Sequence, residues 1–131
     1  MPVTLEIINR PNAQDLADLE KIYSDYALPP VQSLSAWLDA QRDARQMLIV
    51  GRFNGHLLAA VWIDGEGEMR HLCVRASTRR RGTARQLLQL LQARTGQLRL
   101  EQLRVRDHEQ LSALWLQLGF TQKGEHWVWR P

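Results

Sequence analysis

The stretch that decides the fold is LCVRASTRRRGTARQLL, residues 72–88. It predicts a strand, then a loop containing Gly82, then the first turns of an amphipathic helix. Three arginines, Arg79 to Arg81, precede the helix, where the helix dipole disfavours each cation by roughly 0.3–1 kcal/mol. A bound anion would make these cations favourable, and the first-turn N–H groups, which have no partner within the helix, would bind it. Gly82 lets such an anion approach the backbone closely. The stretch therefore predicts a phosphate-binding loop, with a solvated basic turn as the alternative.

Length and composition favour one folded domain. The chain has 131 residues, enough for one core and too few for two, so we expect residues 1–131 to form a single domain. Hydrophobic residues make up 44%, and no window approaches the ~18 apolar residues of a membrane span. We expect no signal peptide, and the single cysteine, Cys73, excludes an internal disulfide. These features predict a cytoplasmic protein that does not bind membranes.

Positive charge is concentrated in one segment. From Arg70 to Arg106 there are ten arginines and one acidic residue, Glu101. This segment carries +9, which leaves −6 for the rest of a chain whose net charge is +3. Such a distribution indicates a polyanionic partner. Nucleic acid is disfavoured, because the arginines are spread over several elements and no aromatic residue lies among them to stack on bases, so a phosphorylated cofactor fits better.

Periodicity and turn residues predict the order β-α-α-β-β-β-α-β-α-β-β, an α/β domain around one mixed sheet. Asn54-Gly55 between two β-rich runs predicts a type I′ hairpin. Asn12 predicts a helix N-cap, and we expect that helix to continue to Pro29-Pro30. The other predicted strands are Thr4 to Ile8, Met47 to Phe53, His56 to Trp62, a strand that ends at Val74, Leu98 to Val105, and a final hairpin of Phe120 to Lys123 with His126 to Trp129. The other predicted helices are Ser35 to Arg42, a helix after the loop that ends at Gly96, and a helix that Asp107 and Gln110 open and Gly119 closes.

The loop and the element order resemble the GNAT N-acetyltransferase superfamily. Arg79 to Ala84 fits its [Q/R]-x-x-G-x-[G/A] signature, and Leu118-Gly119-Phe120 fits its closing motif. The resemblance implies a GNAT fold, in which one mixed β-sheet is flanked by helices and splayed central strands hold acetyl-CoA or CoA. The pantetheine arm would pair with one strand, and the pyrophosphate would rest on the N–H groups of the loop. The cofactor-binding residues that the resemblance implies are Leu72, Cys73, Val74, Thr78, Arg79, Arg80, Arg81, Gly82, Thr83, Ala84 and Arg85.

Several further runs are similar to the aspartate 1-decarboxylase maturation factors, a family of small GNAT proteins of pantothenate synthesis. The runs are DLEKIY (18–23), RFN (52–54), LLAAV (57–61) and TRRRG (78–82). Members of that family bind acetyl-CoA, promote self-cleavage of the decarboxylase pro-enzyme and report coenzyme A status. The resemblance implies that this chain contacts the pro-enzyme through two residues of the hairpin turn, Arg52 and Asn54.

The residues that acetyl transfer needs are only partly present. The superfamily usually places a tyrosine four residues before the Gly-Phe, to protonate the leaving thiolate, and this chain has Trp115 there. An indole N–H is too weak an acid for that role. The candidates for a general base are Glu66, Glu68 and His71, each of which also has a structural explanation. The histidines and the cysteine lack the clustered spacing of a zinc site, so no metal is expected.

Two functions are compatible with these observations. The first is a GNAT-fold protein that binds acetyl-CoA without turning it over and activates the decarboxylase pro-enzyme. The second is an acetyl-CoA-dependent N-acetyltransferase that acts on a small amine or a protein N-terminus. Trp115 in place of the tyrosine favours the first.

Overall fold

The computed structural model describes residues 2–24, 33–75, 82–106 and 111–131. None of the helices in these ranges is long and apolar enough to cross a membrane. The elements are β1 (Thr4–Ile8), α1 (Ala13–Ile22), α2 (Leu34–Asp43), β2 (Met47–Phe53), β3 (His56–Ile63), β4 (Glu68–Val74), α3 (Thr83–Ala93), β5 (Leu103–Arg106), α4 (Ser112–Gln117), β6 (Thr121–Lys123) and β7 (His126–Trp129).

The strands form one seven-stranded mixed sheet with the order β1-β2-β3-β4-β5-β7-β6. Neighbouring strands are antiparallel except β4 and β5, which run parallel. One core lies between the sheet and the helices α3 and α4, and a second core lies between the opposite face and the helices α1 and α2. The α/β class and the single mixed sheet predicted from the sequence are confirmed.

The β2–β3 hairpin confirms the predicted turn. Asn54 has φ 50° and Gly55 has φ 80°, the positive values that a type I′ turn requires. The cap predicted at the start of α1 is also present, because the Asn12 side chain accepts a hydrogen bond from Asp15 N at 2.8 Å. Both features depend on residues close together in sequence, which is why the sequence could predict them.

A buried carboxylate ties α1 to the start of β3. Asp18 is fully buried; its Oδ2 accepts a hydrogen bond from Leu57 N at 3.0 Å, and its Oδ1 lies 3.3 Å from His56 Nδ1. Burial alone would raise the pKa of Asp18, but these two groups, together with Gln14, hold that pKa below its usual value. The carboxylate therefore stays ionised and fixes α1 beside the hairpin turn.

The first helix is shorter than predicted. It ends at Ile22 instead of continuing toward Pro29, and Ser24 Oγ donates a hydrogen bond to the Lys21 carbonyl at 3.1 Å. A side-chain donor here satisfies a carbonyl that a longer helix would have bonded through its backbone. The prolines expected to end the helix lie outside the described residues.

The prediction of a strand over residues 98–105 is wrong for the first half of that range. Leu98 N bonds to the Arg94 carbonyl at 3.1 Å, and Leu100 N bonds to the Thr95 carbonyl at 2.9 Å. These turns occupy amides that a strand would offer to a neighbour, so β5 begins later than predicted.

The boundaries of the last two helices agree in part with the prediction. α3 ends at Ala93, shortly before Gly96. Gly119 follows α4 with φ 84°, as its predicted place beyond the helix end requires. The capping pair predicted for this helix, Asp107 and Gln110, lies outside the described residues.

Gly67 determines how closely β4 can approach β5, and it yields a test of the fold. Its carbonyl accepts a hydrogen bond from Arg104 N at 2.8 Å, its φ is 84°, and a Cβ atom there would overlap the Gln102 carbonyl oxygen. We expect Gly67→Ala to lower the free energy of unfolding by more than about 2 kcal/mol, because the left-handed conformation alone costs roughly 1–2 kcal/mol and the overlap adds to it. Urea unfolding followed by tryptophan fluorescence measures the change. The control is Gly65→Ala, where a Cβ atom meets nothing within 4 Å; equal losses in the two variants would contradict this account.

Candidate functional site

β4 and β5 share a short parallel contact. Their ladder contains two pairs, Glu68 with Arg104 and Met69 with Val105. β4 continues to Val74 and remains paired with β3 along that length. On its other side, no described residue of β5 beyond Val105 pairs with it, and residues 107–110, which follow β5, lie outside the described residues. The GNAT resemblance implies that the central strands splay at this point.

A β-bulge lies just beyond the part of β4 that pairs with β5. In the β3–β4 ladder, Trp62 faces Arg70 and Ala60 faces Cys73, so His71 and Leu72 together oppose a single residue of β3. His71 has φ 58°, a left-handed conformation that costs an L-residue roughly 1–2 kcal/mol. A bulge of this kind bends its strand and increases its twist.

Two aromatic residues, one at the end of α1 and one in α2, hold the bulge in place. Tyr23, which is 3% exposed, donates a hydrogen bond from its Oη to the His71 carbonyl at 2.8 Å. The Trp37 ring lies edge-on to both neighbours, 4.9 Å from the His71 ring and 5.2 Å from the Tyr23 ring between centroids. Cys73 Sγ donates to the Ile22 carbonyl at 3.0 Å, which attaches β4 to the end of α1.

The predicted pantetheine strand lies just beyond this bulge. Leu72 and Val74 pack against the α3/α4 core, whereas Cys73 packs against the α1/α2 core. All three are partly exposed, in contrast to the fully buried residues of β3. The predicted contact residues therefore lie on the part of β4 beyond its described pairing with β5.

The α3 N-terminus supplies the described part of the predicted phosphate loop. Gly82 is the N-cap with φ 75°, no side-chain cap bond is formed there, and a Cβ atom on it would meet nothing within 4 Å among the described residues. Thr83 is buried, Ala84 is half-buried and Arg85 is exposed. The other predicted loop residues, Thr78, Arg79, Arg80 and Arg81, lie outside the described residues.

Two of the three candidates for a general base, His71 and Glu68, differ in their surroundings. Burial, and then the charge of Arg70, lower the pKa of His71, so its ring is neutral at neutral pH. Glu68 forms ion pairs: its Oε2 pairs with Arg70, and its Oε1 lies 3.4 Å from Arg104 Nε and 3.1 Å from His126 Nε2. The third candidate, Glu66, is exposed in the turn before β4.

The residues predicted to contact a protein partner lie together on the hairpin. All three nitrogens of the Arg52 guanidinium are engaged within the chain, Nε by Glu6 at 2.6 Å, Nη2 by Asp15 at 3.2 Å and Nη1 by the Gly55 carbonyl at 3.0 Å. The Glu6 bond is the main reason why the pKa of Arg52 is raised. Asn54 is exposed at the tip of the turn.

Trp115, at the position where an acetyltransferase usually has its tyrosine, is a core residue. It is 1% exposed, and its ring lies 5.3 Å from that of Phe120. Its Nε1 atom has no hydrogen-bond partner within the described ranges. Trp115 therefore packs in the core. The roles of Tyr23 and Trp37 at the bulge were not predicted from the sequence.

Comparison with known proteins identifies the family. The model of the PanZ acetyltransferase (GNAT) domain matches residues 2–128. The chain belongs to the PanZ family of GNAT domains. No curated protein sequence matches it.

Solved structures agree with the GNAT fold of this PanZ-family chain. The solution NMR structure of YhhK from Escherichia coli, described as an N-acetyl transferase and bound to coenzyme A, is 27% identical, with all of both chains covered and a TM-score of 0.72. The ribosomal-protein-S18-alanine N-acetyltransferase from Escherichia coli is 17% identical over 96% of this chain and 90% of its own, with a TM-score of 0.73. An aminoglycoside 6′-N-acetyltransferase complexed with coenzyme A is 11% identical over 97% of this chain and 96% of its own, with a TM-score of 0.73. Coenzyme A in two of these structures agrees with the cofactor predicted from the sequence.

Tyr23→Phe tests whether the hydroxyl shapes the site. The change leaves the His71 carbonyl without this donor, so we expect a stability loss of about 1 kcal/mol and several-fold weaker binding of coenzyme A by calorimetry. Thr95→Val is the control, because it removes another buried hydroxyl, whose bond to the Gln92 carbonyl is 3.2 Å long, at the far end of α3. It should lower stability without changing affinity. Unchanged affinity in Tyr23→Phe would show that its hydroxyl does not shape the site.

The lowered pKa of His71 predicts a pH dependence of stability. A histidine whose pKa lies below the unfolded value of 6.5 binds protons more readily in the unfolded chain. Its contribution is complete above that value and is lost as the pH falls through it toward the folded pKa. We therefore expect the free energy of unfolding to fall more steeply between about pH 7.5 and about pH 5 in the unchanged protein than in His71→Asn, since asparagine tolerates the left-handed conformation. An NMR titration of the ring measures the pKa directly, and a value at or above 6.5 would refute the prediction.

Proposed function

We propose that this chain binds acetyl-CoA or coenzyme A between the diverging strands β4 and β5 and at the N-terminus of α3. The observation that carries the proposal is that the α3 N-terminus has no side-chain cap bond from the described residues and that it follows β4, whose described pairing with β5 ends at Met69. Such a terminus offers N–H groups and a positive dipole to a pyrophosphate. A strand parting from its neighbour offers main-chain groups to the amides of a pantetheine arm.

The described residues fit this cofactor. The open space at Gly82 admits a phosphate group close to the backbone. In the first turn of α3, the amides of Thr83, Ala84 and Arg85 would face the pyrophosphate, and the exposed Arg85 guanidinium could reach it. The resemblance adds Thr78 to Arg81 as the rest of the loop. Leu72, Cys73 and Val74 would line the pantetheine arm.

We further propose that the chain is a single domain, residues 1–131, which activates aspartate 1-decarboxylase and senses coenzyme A. The PanZ family match over residues 2–128 supports this assignment. So does Trp115, since a buried indole cannot protonate a leaving thiolate, and binding without turnover suits an activator. The cofactor would stabilise the surface that recognises the pro-enzyme. Reciprocity then requires the pro-enzyme to tighten cofactor binding by the same factor.

The hairpin would provide part of the recognition surface, with two distinct roles for its residues. Because the guanidinium of Arg52 is engaged by Glu6, Asp15 and Gly55, this residue would act mainly by fixing the turn. Asn54, exposed at the tip, would supply the direct contact.

A pair of glycine variants tests the cofactor site. Gly82→Trp should abolish binding of coenzyme A in calorimetry, because the indole would occupy the place of the pyrophosphate. Gly124→Trp is the matched control: Gly124 also has positive φ, 63° against 75° at Gly82, and a Cβ atom there also meets nothing within 4 Å, but it lies in the β6–β7 turn. Equal affinity in the two variants would show that the site is misplaced.

A cleavage assay tests the proposed activity. Purified protein and acetyl-CoA are mixed with the decarboxylase pro-enzyme, and we expect cleavage to be accelerated only when both are present. Asn54→Gly, which retains the positive φ of the turn, should bind coenzyme A normally and accelerate cleavage less. The activator assignment is abandoned if the pro-enzyme cleaves at the same rate with and without this protein.

One observation favours the alternative function, an N-acetyltransferase. The neutral His71 ring lies at the bulge, close to where β4 and β5 separate, and could accept a proton from an amine. A thiol-release assay over a panel of amines distinguishes the functions. Turnover above hydrolysis that is lost in His71→Asn and retained in Glu68→Gln would favour the enzyme.

A further inference from the structure

In the part of the chain that the structure describes, neither α1 nor α2 packs on one face of the sheet over β5, β6 and β7. Side chains alternate along a strand, and Met69, Val105 and Trp127 point into the α3/α4 core, so their neighbours in sequence point to the opposite face. The α1/α2 core, which covers that face over β2 and β3, contains no described residue of β5, β6 or β7. We call this region the open sheet face. The charged and ionisable residues that the described strands place on it are Glu68, Arg70, Arg104, Arg106, Lys123 and His126, and the carboxylate of Asp64 reaches the face to pair with Arg70.

Cations dominate the open sheet face, and two of them are fixed in position. Glu68 bridges Arg70 and Arg104, with Arg104 Nε 3.4 Å from Glu68 Oε1, and Arg104 Nη2 lies 3.0 Å from His126 Nε2. Arg70 Nη1 also pairs with Asp64 Oδ2 at 3.0 Å. Guanidinium groups held in this way lose little side-chain entropy when they bind a further partner.

The remaining two cations of the face lie at the surface. Arg106 and Lys123 are exposed, and neither forms an ion pair with any residue in the described ranges. The register places both opposite His126, on the two strands that flank β7. With strands spaced about 4.8 Å apart, the cations from β4 to β6 extend over about 14 Å. One small carboxylate cannot bridge such a distance, whereas an extended polypeptide can.

We propose that the open sheet face binds an acidic segment of another protein. Arginine binds carboxylates in a bidentate manner, and three of the four cations are arginines. A nucleic acid fits less well, because Trp127 and Trp129 of β7 pack toward the α3/α4 core, where they cannot stack on bases.

This surface is a second one, separate from the cofactor site and from the hairpin of Arg52 and Asn54. The inference goes beyond the proposed function, because it requires neither coenzyme A nor the decarboxylase. A protein segment bound here would lie beside the bulge at His71, because the His71 ring and the open sheet face are on the same face of the sheet.

The test uses a short fluorescent peptide of alternating glutamate and serine, with single-stranded oligothymidylate as the competing probe. Fluorescence anisotropy is measured for the unchanged chain and for Arg106→Glu combined with Lys123→Glu, two exposed positions at which no described contact would be broken. The matched control reverses two exposed cations elsewhere, Arg10→Glu with Arg45→Glu, and has the same net charge. Calorimetry with coenzyme A checks that both double variants remain folded and retain the cofactor site.

We expect the peptide to bind the unchanged chain. Its affinity should be at least about tenfold lower for the Arg106/Lys123 variant and almost unchanged for the Arg10/Arg45 variant. Equal losses in the two double variants would overturn the proposal, because net charge alone would then explain binding. Tighter binding of oligothymidylate than of the peptide would assign the face to nucleic acid instead. Absence of peptide binding at low salt would also refute it. None of these results depends on the pro-enzyme assay, so the two proposals can fail separately.

Discussion

The hydrogen bond from Tyr23 Oη to the His71 carbonyl is the interaction on which the site depends. A bulge removes its residues from the regular ladder, and a backbone carbonyl turned out of a ladder needs another donor. The buried tyrosine supplies that donor from the C-cap position of α1, and Trp37 packs on the His71 ring from α2. The left-handed conformation of His71 persists because the surrounding contacts determine it. The bulge in β4 is thus held by two residues that pack on the α1/α2 face of the sheet.

β4 connects the bulge at His71 to the proposed cofactor site. Where β4 and β5 are in contact, Gly67 permits the close approach and Glu68 is bridged to the arginines of both strands. Beyond Met69 no described residue of β5 pairs with β4, and α3 is the next described element along the chain. β4 is therefore fixed at one end by β5, and the proposed ligand would lie along its other end. This combination suits a ligand with an extended arm and a charged diphosphate.

The concentration of arginines between residues 70 and 106 has several structural explanations. Arg70 and Arg104 belong to an ion-pair network on the open sheet face, and Arg94 donates to the Leu5 carbonyl at 3.3 Å. Arg85 lies in the first turn of α3, where a pyrophosphate would stabilise it. A single polyanionic partner, which the charge distribution alone suggested, would not contact all of these residues. The structure divides them among at least two surfaces.

By itself, the sequence determined the α/β class, the order of the elements and the family. It did so because the periodicity, the Asn54-Gly55 turn, the Asn12 cap and the Arg79 to Ala84 signature are local patterns whose geometry depends on neighbouring residues. It misplaced the end of α1 and the start of β5, where side-chain caps and local turn bonds compete with regular structure.

Only the tertiary structure decided how the candidate site is built. Tyr23 and His71 are 48 residues apart, and their contact requires α1 to be fixed on the sheet first. The pairing of Arg52 with Glu6, which makes its guanidinium a support for the turn, depends on β1 lying beside β2. The open sheet face arises because α1 and α2 cover only part of the sheet, and no sequence pattern records which part remains uncovered. Contacts of this kind depend on the whole packing arrangement, so residue spacing alone could not predict them.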